Sequence, residues 1–272
     1  GKLGCPAMGV RGAALATVIS AAVSMGMNMA FSYGMHLPAG ARPSEWLRQE
    51  KGFAGRFSKT VVPVIFNEGL WGVVTTMYSV FYGRMGDAAV ATMGVCTTIN
   101  DLVWVAIFAL MNATAIIVGK ALGAGDRERA YLYAKRMMAG AVAAGVALGL
   151  LVIAVRWPLV NIFSGLSYPV REKAQFILML GALTIWFRAF NTINIVGVLR
   201  SGGDTLFSLC LDVGTLWLVG VTSTGLAALV FHWPLEWVYA CTFLEEAVKM
   251  AVGIPHFKKR QWMNVLTEQP QG

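Results

Sequence analysis

The chain has 272 residues, 57% of them hydrophobic and only 13% charged, with a formal net charge of +8. A water-soluble domain carries about 25% charged residues, so this composition and a mean hydropathy of +0.62 exclude an ordinary soluble domain and point to the membrane class. A nucleic-acid partner is not expected either, because Lys and Arg gather in short polar segments between apolar runs, as juxtamembrane charges do.

Seven apolar segments are predicted to span the bilayer: residues 12–34, 60–83, 90–118, 137–157, 176–199, 206–230 and 233–255. Each holds about 20 or more mostly apolar residues, enough at about 1.5 Å per residue to cross a ~30 Å hydrocarbon core. The third is overlong and is expected to tilt or to leave the lipid. One set of connections holds Arg42, Arg48, Lys51, Arg56 and Lys59, then Lys120, Arg127, Arg129, Lys135 and Arg136, then Arg200, and finally Lys258, Lys259 and Arg260. The opposite set is poorer in basic residues, so the first set marks the cytoplasmic side. The chain is then a multi-pass protein of the inner (plasma) membrane with its first residues outside and its last residues in the cytoplasm.

Between the first two spans, residues 44–48 read as a short interfacial helix with Trp46 at headgroup level, where membrane lipids are the partner. Asp126 and Asp204 follow glycine-rich turns and are expected to cap the helices that begin there. Cys5, Cys96, Cys210 and Cys241 show no paired spacing and read as small apolar residues. His36, His232 and His256 lie in or near connections and form no metal-ligand pair.

The second span carries a single formal charge, Glu68, with Asn67 beside it and Pro63 about one turn earlier. A carboxylate near mid-membrane costs roughly 2.5–3.5 kcal/mol on insertion scales, so it marks a partner, a proton or a cation rather than packing. Gly72, Thr75 and Ser79 share its helix face, which suits the wall of an aqueous cavity, or alternatively a close helix–helix seam. Asp101, in the third span with Asn100 beside it and Asn112 on its face, is either functional or a structural hydrogen-bonding group. In the fifth span Thr184, Arg188, Asn191 and Asn194 form one stripe that must turn inward, and Arg188 needs an anion, for which Glu68, Asp101 and Asp212 are the candidates. Asp212 reads as a capping or snorkelling residue, and Glu245 with Lys249 as a local i,i+4 pair. Arg188 is the only basic residue expected deep in a span.

Several segments in order resemble the multidrug and toxic compound extrusion family, MATE. GVRGAALATVIS (residues 9–20) looks like the start of its sixth helix and PVIFNEGLWG (63–72) like its seventh, with the acid in place. IIVGKALGAGDRERAYLYAKR (116–136) resembles the loop after the eighth helix. FNTINIVGVLRSGGDT (190–205) resembles the end of the tenth, and LEEAVK (244–249) with KKRQWMNVLT resembles the C-terminal end. The family has twelve helices in two lobes. The resemblance therefore implies an all-α polytopic membrane protein of about seven transmembrane helices, comprising the last helix of one lobe (1–34), a cytoplasmic linker (35–59), a six-helix second lobe (60–257) and a cytoplasmic tail (258–272). The remaining helices of the first lobe would be a partner.

The function so implied is a secondary active antiporter that exports organic, often cationic, drugs in exchange for H+ or Na+. Glu68 would be the coupling carboxylate, and Asn67, Asn191, Asn194, Asp101 and Arg188 would complete the cation and substrate site. No cofactor beyond the coupling ion is expected, and a Na+ at Glu68 is the candidate metal. Some members of the family carry an aspartate on the tenth helix, where this chain has Arg188, Asn191 and Asn194 instead. A flippase for lipid-linked oligosaccharide is the alternative, and it would need a wide cavity lined by several basic residues. An intramembrane hydrolase would need a Ser–His or paired-Asp arrangement at depth, and a non-transporting structural fragment would leave Glu68 dispensable.

Overall fold

Every long apolar run among the described residues is helical, because in lipid the backbone must satisfy its own hydrogen bonds. The computed structural model describes residues 8–35, 53–163 and 165–264. Its helices are α1 (Gly9–Gly34), α2 (Phe53–Arg84), α3 (Asp87–Gly123), α4 (Arg127–Asn161) and α5 (Tyr168–Thr192). The last continues without a break as a π-helical stretch, Ile193–Arg200. There follow α6 (Thr205–Thr215), a π-helical stretch Leu216–Val221, the short α7 (Thr222–Gly225) and a further π-helical stretch Leu226–Val230, then α8 (Leu235–Cys241) and α9 (Leu244–Lys258). The chain divides into two units, Gly1–Phe57 and Ser58–Gly272. The first contains α1 and the start of α2, and the second contains everything that follows.

Six of these segments are long and apolar enough to cross a membrane: Ala14–Gly34, Phe57–Arg84, Asp87–Gly123, Arg127–Asn161, Tyr168–Arg200 and Thr205–Val230. The seventh expected span, 233–255, is divided into α8 and α9. At the division the N–H groups of Thr242 and Phe243 donate to the Tyr239 and Ala240 carbonyls, three residues back, at 3.1 and 3.0 Å, a tight 3₁₀-like turn. The overlong third span is the 37-residue α3, about 55 Å at helical rise and therefore longer than a hydrocarbon core. α2 begins at Phe53, seven residues inside the stretch expected to be a linker. The expected interfacial helix, His36, Cys5 and the end of the tail lie outside the described residues.

Within the second unit α4 and α5 form the closest pair. The buried side of α4 is a stripe of mostly small residues, Ala130, Ala134, Met138, Ala141, Gly145, Gly149 and Val152, which lets two backbones approach. A Cβ at Gly145 would overlap the backbone of Trp186, and one at Gly149 the carbonyl of Ala182. The buried hydroxyls of Thr92 and Thr114 are satisfied inside their own helix, donating to the Ala88 and Leu110 carbonyls at 2.7 Å. Large apolar side chains such as Leu102, Leu150, Ile162 and Leu218 stay exposed, as lipid-facing residues do.

The end that carries the basic connections is pinned by one tryptophan. Trp262 is fully buried and donates from Nε1 to the Phe257 carbonyl at 3.2 Å. Its atoms occupy the space that a Cβ on Gly202 would need. The N–H of Asn264 reaches the Gly202 carbonyl at 3.0 Å. The RSGGDT turn is thus a docking seat for the segment after α9. Asp126 caps α4 as expected, accepting from the Arg129 N–H at 2.9 Å. Asp204 occupies the N-cap position of α6 but makes no side-chain cap bond. Its Oδ2 instead meets His256 Nε2 at 2.6 Å, and His256 also stacks on Phe207.

Candidate functional site

The turn between α8 and α9 places Glu245 and Glu246 in the first turn of α9, where the exposed N–H groups of a helix favour negative charge. Lys249 follows one turn later on the same face, and all three side chains are buried. Buried charges persist only when paired and hydrogen-bonded, and the neighbouring helices supply the partners.

Lys249 Nζ lies 3.0 Å from Asp212 Oδ1 of α6 and 3.8 Å from Glu245 Oε1. The other oxygen of Asp212 accepts from Asn67 Nδ2 at 3.0 Å and stands 3.6 Å from Arg200 Nη2. Arg200 in turn donates from Nη1 to Glu68 Oε1 at 2.8 Å. The result is a chain of alternating charge: Glu68, Arg200, Asp212, Lys249, Glu245. Beside it, Arg188 Nε lies 3.5 Å from Glu246 Oε1, with its guanidinium 5.3 Å from the centre of the Trp104 ring. Asn191 Nδ2 donates to Glu246 Oε2 at 2.8 Å and to the Glu246 carbonyl at 2.9 Å.

The residues singled out in the sequence divide between this network and its surroundings. Glu68, Asn67, Arg188 and Asn191 belong to it. Asn194 is fully buried, with both amide atoms unbonded, and it packs against the backbone of α9 at Gly253. Asp101 is exposed on α3, outside the network. Arg188 pairs with none of its three expected partners, because α5 packs on α9 and brings Glu246 opposite it. Glu68 is paired instead with Arg200, which the sequence placed in a turn.

The helix face around Glu68 points away from the second unit's core. α2 meets the bundle along Asn67, Val74, Phe81 and Tyr82, whereas Glu68, Gly72, Thr75 and Ser79 lie on its exposed side. Thr75 and Ser79 donate to carbonyls of their own helix at 2.8 and 3.0 Å. Among the described residues of the second unit no other helix covers this polar stripe.

Asp212, Glu245, Glu246, Lys249 and Arg200 were missed as network members. The local Glu245–Lys249 pair exists but is the weaker contact of that lysine. Asp212 neither caps nor snorkels, since both its oxygens are engaged within the bundle. Nor is Arg188 the only inward cation, because Lys249 is buried in the same network and Arg200 is partly buried in it. One signal was present in the sequence: a local Glu245–Lys249 pair leaves Glu246 unmatched in an apolar segment.

Residues 63–223 match the MatE family model. The chain belongs to the MatE family of membrane transporters. It is 24% identical over 220 residues to a probable multidrug resistance protein, NorM, of Thermotoga maritima, covering 80% of this chain and 46% of that protein. It is 19% identical over 263 residues to the uncharacterized transporter YisQ of Bacillus subtilis, covering 97% and 57%. In fold it resembles the bent form of the Vibrio cholerae MATE transporter VcmN, with a TM-score of 0.71, 19% identity and coverage of 82% of this chain and 50% of that one. A Pyrococcus furiosus transporter of the MOP superfamily, described as having a binding pocket of reverse polarity, superposes with a TM-score of 0.65 at 14% identity, covering 79% and 48%. This MatE chain spans about half the length of the relatives it matches.

Proposed function

We propose that the protein at its full natural length is a secondary active efflux antiporter of the plasma membrane, exporting organic, often cationic, compounds in exchange for H+ or Na+. Glu68 is the coupling carboxylate in this reading. The observation that carries it is the placement of Glu68 at the open end of a buried charge chain. Its side chain is 61% exposed while that of its partner Arg200 is 13% exposed. A proton, Na+ or cationic substrate arriving at Glu68 competes with Arg200 and needs no burial of new charge. Releasing Arg200 changes the balance at Asp212 and Lys249, which tie α2 and the end of the fifth span to α6 and α9. Competition for one site that alters helix contacts is the thermodynamic requirement for exchange.

The asparagines support the same reading. Asn67, Asn191 and Asn194 each keep a buried side-chain oxygen without a partner, and hard cations prefer such oxygens. Arg188 holds Asn191 in place through their shared partner Glu246. Asp101, exposed on α3, would draw cations toward the bundle. The N-terminus of the chain would lie outside and its C-terminus in the cytoplasm, and the rest of the first lobe would complete the path.

The flippase reading gains three cations, the buried Lys249 and the partly buried Arg188 and Arg200, yet each stands within 3.6 Å of a carboxylate. None is left to hold a lipid-linked pyrophosphate, so antiport remains the better reading. The test is drug efflux by the full-length protein in proteoliposomes under imposed H+ and Na+ gradients. Glu68→Gln should abolish ion-driven efflux while leaving expression and folding intact. Efflux that stays fully coupled in this variant would overturn the role of Glu68.

A further inference from the structure

Lys249 serves two carboxylates. Its ammonium sits 3.0 Å from Asp212 Oδ1 but only 3.8 Å from Glu245 Oε1. Asp212 has Arg200 and Asn67 as further partners, and Glu246 has Arg188 and Asn191. Glu245 has Lys249 alone among the described residues, and its Oε2 is buried without a donor. The five-member chain from Glu68 to Glu245 holds three carboxylates and two cations, so it carries one surplus negative charge when every group is ionised. Water can screen that surplus at Glu68, which is exposed, but not at Glu245, whose side chain is 7% exposed.

The surroundings of Oε2 suit a hydroxyl group. It lies against Gly220, where the Tyr78 hydroxyl also lies, and a Cβ on that glycine would overlap both. The Tyr78 oxygen is likewise buried without a partner. The ionisable groups facing Glu245 are Lys249 and Glu246 on its own helix, Arg188 of α5, Asp212 of α6, Arg200 at the end of the fifth span and Tyr78 of α2. Tyr239 of α8 turns its hydroxyl toward Gly181 instead.

We propose that Glu245 is a proton-binding site separate from Glu68, filled at Oε2 against the Tyr78 hydroxyl. One proton taken up there turns Oε2 into a donor, gives Tyr78 a partner and brings the five-member chain to zero charge. Losing it restores the surplus charge and draws Lys249 away from Asp212 toward Glu245, loosening the tie between α6 and α9. The inference deepens the antiport reading by adding a second titrating site, but the protonation itself can be read without any transport.

The experiment is infrared difference spectroscopy of the full-length protein in lipid across a pH series, following the protonated-carboxyl C=O band. The wild-type protein and Glu68→Gln should share one titrating component of the band, and Glu245→Gln should lack that component. Tyr78→Phe removes the oxygen that accepts from the protonated carboxyl, so it should keep the band but move its titration to lower pH by roughly one unit, the scale of one lost hydrogen bond. A Glu245→Gln protein that keeps every component of the wild-type band overturns the proposal, and so does an unchanged titration in Tyr78→Phe if Glu245→Gln does not fold. A Glu68→Gln protein that loses ion-driven efflux beside a Glu245→Gln protein that keeps every component of the band would sink this inference alone. The reverse pattern would sink the Glu68 reading alone.

Discussion

Lys249 Nζ stands 3.0 Å from Asp212 Oδ1 on another helix, and 3.8 Å from Glu245 Oε1 one turn earlier on its own. The tertiary contact has displaced the local one, and α6 and α9 are held together through it. Removing the lysine strands the buried Glu245 and leaves Asp212 with Arg200 and Asn67 alone, a loss worth about 3–5 kcal/mol when one partner of a buried pair is deleted. Lys249→Met should therefore lower the melting temperature of the purified full-length protein sharply, while Lys258→Met, at an exposed position, should leave it nearly unchanged. Adding Asp212→Asn to Lys249→Met should recover part of the loss. Thermal unfolding in detergent measures all three.

The contact between Arg188 and Glu246 predicts a coupling that the sequence alone did not. A double-mutant cycle of Arg188→Met and Glu246→Gln should show non-additivity of about 1–3 kcal/mol, as residues in one polar network do. The same cycle for Arg188 with Glu68 should be additive within about 0.5 kcal/mol. Equal coupling in the two cycles would contradict the assignment of partners.

Arg200 competes with any cation for Glu68 if Glu68 is the exchange site. Arg200→Gln removes the competitor, so the ion concentration giving half-maximal efflux should fall several-fold. Its effect on stability through Glu68 should be small, about 0–1 kcal/mol, because that half of the contact is exposed. Ion titration of drug efflux in proteoliposomes gives the answer, and a raised half-maximal concentration would count against competition.

Two glycines of α4 make a matched pair for a packing test. A Cβ at Gly145 collides with the backbone of Trp186, whereas one at Gly140 meets nothing within 4 Å. Gly145→Ala should destabilise by about 1–3 kcal/mol through overpacking. Gly140→Ala should be neutral or stabilising by up to about 1 kcal/mol from helix propensity. Comparing the two melting temperatures separates packing from propensity.

The long helices were legible in the sequence because apolar length and backbone self-satisfaction act locally. The 20-residue runs, the glycine turns before Asp126 and Asp204 and the unusual charge at Glu68 all follow from neighbours within a few positions. The exception was the last span, where apolar length cannot reveal a two-residue interruption at Thr242–Phe243. Family motifs carried the assignment further, since PVIFNEGLWG and FNTINIVGVLRSGGDT both fall within the region that the MatE model matches.

Partner choice for the charges was not legible. Glu68 and Arg200 are 132 positions apart, and Asn67 and Asp212 are 145 apart, so no periodicity relates them. Sequence by itself determined that these charges sit in apolar segments and must be compensated, because desolvation is costly wherever the chain places them. Only the packing of α5, α6 and α9 decided which cation meets which carboxylate, because a charge's energy depends on distances that helix pairing sets. That same packing left Glu245 with one shared lysine and an unbonded oxygen, against a glycine whose missing side chain makes the room.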